Sequence, residues 1–198
     1  MENPPTAPQD PVEQITRWLR PCPVFQDWPD ARLWELARAS RVQHYPRRTQ
    51  VAGRDREIYL VVSGSLEVMA ANPEGDKFVL GILRAGQISQ LVQLMGKLPR
   101  RFGWHVREDA TVVHIPAAAM ERILDAEPVL WRQIAKIMLR RFYLSTEERQ
   151  GQVLGSVRCR MAATLVNLAG GYGDLTPEAE PPELQVTQVE LADMLGVS

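Results

Sequence analysis

Between Arg41 and Pro116 the sequence is a train of short runs rich in Val, Ile and Leu, each closed by residues that turn a chain. The runs are Val42–Tyr45, Ile58–Val62, Leu66–Ala70, Phe78–Leu83, Gly103–Arg107 and Thr111–Ile115. The breaks include Ser63-Gly64, Asn72-Pro73-Glu74-Gly75-Asp76 and Ala85-Gly86. Six short strands at this spacing predict an antiparallel barrel or jelly roll.

On either side of this stretch the pattern is helical. Val12 to Leu19 predicts a short helix stopped by Pro21 and Pro23, and Trp28 to Ala39 predicts another, opened by Pro29 and Asp30. After Pro116, Ala117 to Ala126 predicts a third helix, and Glu127 to Leu154 is almost free of breakers until Gly151. Within that long segment Leu130, Ile134, Ile137, Met138, Arg141, Leu144, Ser145 and Glu148 trace a seam of mixed three and four spacing. Such a seam fits lengthwise packing on a symmetry-related copy, hence a homodimer; a helix lying across its own barrel is the second reading.

Ser156 to Ala169 predicts a further helix with Val157, Met161, Leu165 and Leu168 on one face, ended by Gly170-Gly171. An acidic loop, Gly173 to Pro182, and a short strand, Glu183 to Val186, would follow. Thr187 and Glu190 then have the spacing of a capping box, so a helix should open at Gln188, with Val189, Ala192 and Leu195 on one face and Gly196 at its end. This reads as the first half of a helix-turn-helix cut at its turn. The expected fold is α+β: an antiparallel β-roll with flanking helices, a long dimerisation helix and a partial winged helix-turn-helix domain. The expected divisions are a flexible arm at 1–11, where four prolines resist regular structure, an effector domain at 12–126, the dimer helix at 127–154 and the DNA-binding domain at 155–198.

Charge and cysteine content narrow the function classes. Twenty-three basic against twenty-four acidic side chains give a net charge of −1, which is not that of a polycationic nucleic-acid binder. From Gly151 onward Arg158 and Arg160 face six carboxylates, so this part alone should hold DNA weakly. No apolar run approaches the ~20 residues that cross a bilayer, and the N-terminus lacks a signal-peptide layout, so no membrane partner and a cytoplasmic location are expected. Cys22 and Cys159 are too few for an all-cysteine Fe–S cluster. No nucleophile and base set, phosphate-cradling glycine loop or metal-ligand cluster is evident, so neither enzyme activity nor a metal site is expected.

Ile58-Tyr59-Leu60-Val61-Val62-Ser63-Gly64-Ser65-Leu66-Glu67-Val68 and the T-x-x-E-L-A-x-x-L-G-V-S segment from Thr187 to Ser198 complete the picture. With the order of elements between them, they resemble the Crp/Fnr family of bacterial transcription regulators over about Val24 to Ser198. The resemblance implies an effector site inside the β-roll, built from a Gly-Glu-Leu motif and an Arg-Ser or Arg-Thr pair that hold a cyclic nucleotide. The matching positions here are Ser89, Gln90 and Leu91, then Arg100 and Arg101. Gln90 replaces a carboxylate by an amide, Ser89 adds a Cβ, and Arg101 puts a second cation where a hydroxyl belongs, which argues against cyclic AMP and leaves another small anionic effector open.

On the long helix Ser145 and Thr146 match the hydroxyl pair that reaches the base. A hydroxyl bonded back to its own helix is the reading that stands ahead of this. Haem is a further cofactor option, with His44, His105 and His114 as the available ligands, but lone strand histidines are more often packed or surface groups. The resemblance further implies binding to double-stranded DNA, with Thr187, Gln188 and Ser198 near phosphates, and contact with RNA polymerase. Two rival readings are a stand-alone ligand-binding dimerisation module, and a regulator whose roll has lost its effector.

Overall fold

The computed structural model describes residues 10–52, 55–71, 77–96, 102–170 and 186–195. Its elements, in chain order, are helices α1 (Pro11–Leu19) and α2 (Asp30–Ala39), then strands β1 (Arg41–Tyr45), β2 (Glu57–Ala71), β3 (Lys77–Arg84) and β4 (Ile88–Ser89). A 3-10 turn (Leu91–Met95) and strand β5 (Phe102–Pro116) follow. Helices α3 (Ala117–Ala126), α4 (Pro128–Leu154), α5 (Val157–Gly170) and α6 (Gln188–Leu195) complete the chain. Asp10 caps α1 by accepting from the Val12 amide at 3.0 Å, and Pro11 takes the first helical position, where its missing N–H costs nothing. The helix therefore opens one residue earlier than the proline-rich composition suggests.

The strands form one antiparallel sheet in the order β1-β5-β2-β3, with β4 paired to β2. Four of the six expected strands merge pairwise: Ile58–Val62 and Leu66–Ala70 are one fifteen-residue strand, and so are Gly103–Arg107 and Thr111–Ile115. Gly64 explains the first merger. It takes φ +74° inside β2, where the pairing with β5 shifts register, and bends the strand rather than ending it. A Cβ there would collide with the carbonyl of Asp109, so only glycine fits. The Ala85-Gly86 break is a turn as expected, with Gly86 at φ +84°.

Long strands alternate their side chains between faces, and here each face serves a different core. From β2 and β5, Ile58, Leu60, Val113 and Ile115 join residues of α1, α2, α3 and the first turns of α4, among them Leu19, Phe25, Leu33, Leu36 and Met120. The intervening residues Tyr59, Val61, Val112 and Trp104 point into the roll with Tyr45, Val51, Leu66, Val106 and Ala110.

The long helix corrects one expectation. Leu130 and Ile134 are buried in the helix-side core of their own chain, with Ile137 and Met138 packed partly against it. The seam therefore lies across its own roll over this half, because the apolar period identifies a buried face without saying what buries it. Leu144 and Glu148 lie among residues whose side chains are not described. Roughly opposite on the helical wheel, Leu139, Phe142 and Tyr143 are 67%, 72% and 61% exposed.

On α5, Val157 and Met161 are also exposed rather than core-forming. Leu195 of α6 is buried while Val189 is exposed, and Arg160 of α5 donates to the Leu195 carbonyl at 3.2 Å. Residues 1–9 of the arm expected at 1–11, the loop Gly173 to Pro182, residues 183–185 of the expected strand, the helix end at Gly196 and the Glu190 side chain of the capping box lie outside the described residues. No described helix is long and apolar enough to cross a membrane.

Candidate functional site

The segment Ile88 to Met95 is held from four directions. Ile88 and Ser89 pair with Leu60 and Tyr59 of β2. The indole Nε1 of Trp104, on β5, donates to Ser89 Oγ at 3.3 Å. Arg56 donates through Nη2 to the Gln93 carbonyl at 3.1 Å and pairs with Glu121 of α3. Finally Arg141, a full turn before Ser145 on α4, donates through Nη1 to the Ile88 carbonyl at 3.1 Å. The first three contacts fix the segment to the roll and α3, and the fourth joins it to the long helix.

Gln90 sits at the bend of this segment. Its φ of 69° and ψ of 19° place it in the left-handed region, which costs a residue with a Cβ about 1 kcal/mol or more. Its side chain is 9% exposed. Gln93 Nε2 donates to Gln90 Oε1 at 2.9 Å, while Gln90 Nε2 is buried with no hydrogen-bond partner among the described residues. Leu91, the third residue of the expected motif, turns into the helix-side core and is an anchor. Arg100 and Arg101 lie outside the described residues.

Ser145 and Thr146 are exposed on α4. The Thr146 hydroxyl donates to the Phe142 carbonyl at 2.9 Å, the back-bonded arrangement that stood ahead in the sequence. Of the residues expected near DNA, Thr187 and Gln188 are exposed at the start of α6, and Ser198 lies outside the described residues.

Deeper in the roll lies a polar cluster that the sequence analysis did not find. His114 is fully buried and Glu57 is 4% exposed. The imidazole Nδ1 lies 2.9 Å from Glu57 Oε2 and 3.0 Å from Arg41 Nη2, and Nε2 lies 3.0 Å from the Tyr45 hydroxyl. Arg41 also reaches both Glu57 oxygens, at 3.3 and 3.1 Å. Tyr59 closes the cluster with an edge contact to the His114 ring at 5.0 Å between centroids.

Burial pushes the Tyr45 phenol above its usual pKa, against the opposing charge of Arg41. Because both ring nitrogens of His114 are engaged, it is poorly placed to ligate haem. His44 faces Thr111 at 2.9 Å on the exposed side of β1, and His105 stands on β5 beside Gln50. Among the described residues no group of three or more His, Cys, Asp or Glu side chains is arranged to hold a metal. Cys22 is buried and Cys159 exposed, and neither forms a disulfide.

Comparison with known proteins gives a consistent picture. Residues 49–127 match the family described as the cyclic nucleotide-binding domain. The chain is 22% identical to the cAMP-activated global transcriptional regulator CRP of Salmonella typhimurium, over 83% of this chain and 80% of that protein. It is 25% identical to the regulator of the same name from Haemophilus influenzae, over 78% of this chain and 70% of that one. Among solved structures, the c-di-GMP-responsive global regulator CLP of Xanthomonas campestris superposes with a TM-score of 0.63 at 21% identity, covering 86% of each chain, a likeness of fold. The antiparallel sheet with its flanking helices fits the β-roll of such domains, and the matches support a CRP/FNR-like regulator with a cyclic nucleotide-binding domain at residues 49–127.

Proposed function

We propose that the chain acts as a homodimeric Crp/Fnr-type DNA-binding transcription regulator. A small anionic effector binds in the roll beside Ser89, Gln90 and Leu91, with Arg100, Arg101, Ser145 and Thr146 contributing from the neighbouring segment and from α4. The observation that carries this reading is the Arg141 to Ile88 bond. A ligand that shifts the 88–95 segment alters the seat of the long helix, and α4 is followed after two residues by α5. Coupling of this kind requires only that the ligand prefer one seat of α4 over another.

Two copies meet, in this reading, through the exposed Leu139, Phe142 and Tyr143 of α4. Thr187, Gln188 and Ser198 then lie near DNA phosphates, while RNA polymerase is a partner by resemblance to the CRP regulators. Thr146, whose hydroxyl is already bonded to its own helix, favours a second reading in which the roll no longer takes a cyclic nucleotide.

Sedimentation equilibrium tests the dimer. The chain is expected to be dimeric at micromolar concentration, and Phe142→Glu to be monomeric with an unchanged circular-dichroism spectrum. A monomeric parent chain would overturn the proposal. Thermal melts with and without cyclic AMP test its role as effector, since ligand at a hundred times its dissociation constant adds about 2.7 kcal/mol to the folded state, several degrees for a chain of this size. An unchanged melt favours the second reading.

A further inference from the structure

We propose that Gln90 makes the effector site a hydrogen-bond donor at this point, so that its ligand presents an acceptor oxygen of an anionic group, carboxylate or phosphate, rather than a sugar hydroxyl. The inference rests on the effector reading above and narrows the ligand class.

The amide oxygen of Gln90 already accepts one bond, from Gln93 Nε2 at 2.9 Å. The amide nitrogen is buried and has no partner among the described residues, in a residue 9% exposed. A buried donor left unmade is costly, and a residue with a Cβ held at φ 69° adds strain to the same position. The first cost is recovered if an acceptor arrives.

A hydroxyl can supply an oxygen here, but it brings a proton that needs an acceptor of its own, and Gln90 Oε1, which already accepts from Gln93, would have to accept a second time. An anionic oxygen has no proton to place. A cation of α4 strengthens the preference: Arg141 reaches the carbonyl of Ile88, two residues from Gln90, at 3.1 Å, and its positive charge favours an anion over a neutral hydroxyl.

The test follows the Gln90 side-chain amide by proton–nitrogen NMR, assigned by its loss in Gln90→Asn, while the whole chain is titrated with citrate, pyrophosphate, cyclic AMP and 2′-deoxy cyclic AMP. Melting temperature is read in parallel. Citrate or pyrophosphate is expected to move the Gln90 resonance saturably and to bind at least about tenfold more tightly than cyclic AMP, with that advantage lost in Gln90→Glu. The two anions separate carboxylate from phosphate.

Tighter binding of cyclic AMP, weakened about tenfold when the 2′-hydroxyl is absent, would overturn the donor assignment and leave the effector reading standing. Anions that raise the melting temperature without moving the Gln90 resonance would overturn it too, by locating the anion site elsewhere. If no probe changes either readout, the donor assignment and the effector reading both fall.

Discussion

The two cores of this protein share the same two strands and differ in chemistry. On the helix side, β2 and β5 contribute Ile58, Leu60, Val113 and Ile115 to a core made of aliphatic and aromatic side chains. One residue along, the same strands offer Tyr59, His114 and Glu57 to a roll interior that also holds Arg41 and Tyr45. The first face is chemically uniform and interchangeable within limits of volume. On the second, each polar group depends on a particular partner, because a buried charge or donor is tolerated only when paired. The difference teaches that the helix side supplies cohesion, whereas the roll interior is differentiated enough to recognise something.

Substitutions can break that contrast. Glu57→Ala leaves the His114 imidazole and the Arg41 guanidinium without their carboxylate, and is expected to cost about 4 kcal/mol in urea unfolding. An equal loss from Glu57→Gln, which keeps the shape, would show that charge rather than hydrogen bonding holds the cluster. Leu33→Ala, in the helix-side core, is expected to cost about 3 kcal/mol through its cavity, and Leu33→Met much less, since volume is what that side requires.

Tyr45→Phe is the smallest change, about 1 kcal/mol for bonds to His114 Nε2 and the Ala52 carbonyl. It carries a pH signature. The Tyr45 pKa is raised in the fold, so the stability tied to its neutral phenol is fully present below the unfolded value of about 10 and is lost as pH rises through the folded value. Melting temperatures from pH 8 to 11 should therefore decline more steeply in the parent chain than in Tyr45→Phe. Parallel curves would assign the alkaline loss to other groups.

How much of this was readable in the sequence depends on how local the deciding contacts are. Helix α3 and the opening of α6 at Gln188 appear where the sequence signals them, since Pro116 and Thr187 mark starts that neighbouring residues alone determine. The strand breaks were legible as bends but not as continuations, because whether Gly64 ends a strand or kinks it depends on Asp109 across the sheet. The α4 seam was found as a face, yet its partner was not. The motif at Ser89 to Leu91 was found by resemblance, and its bend at Gln90 was not.

Arg141 was counted in the seam without a role, since an arginine within an apolar period gives no hint that a carbonyl 53 positions earlier receives it. The polar cluster was invisible for the same reason: His114 meets Arg41 across 73 positions and Glu57 across 57, and no spacing rule reaches that far.

The bond from Arg141 to Ile88 ends on a main-chain carbonyl. Every amino acid has that oxygen, so no replacement at position 88 that preserves the backbone can remove the attachment, and the side chains around it are free to change. Descendants of this chain could exchange the chemistry of the pocket from one ligand to another while keeping the linkage to the long helix. What is sensed and how it is transmitted are then inherited separately.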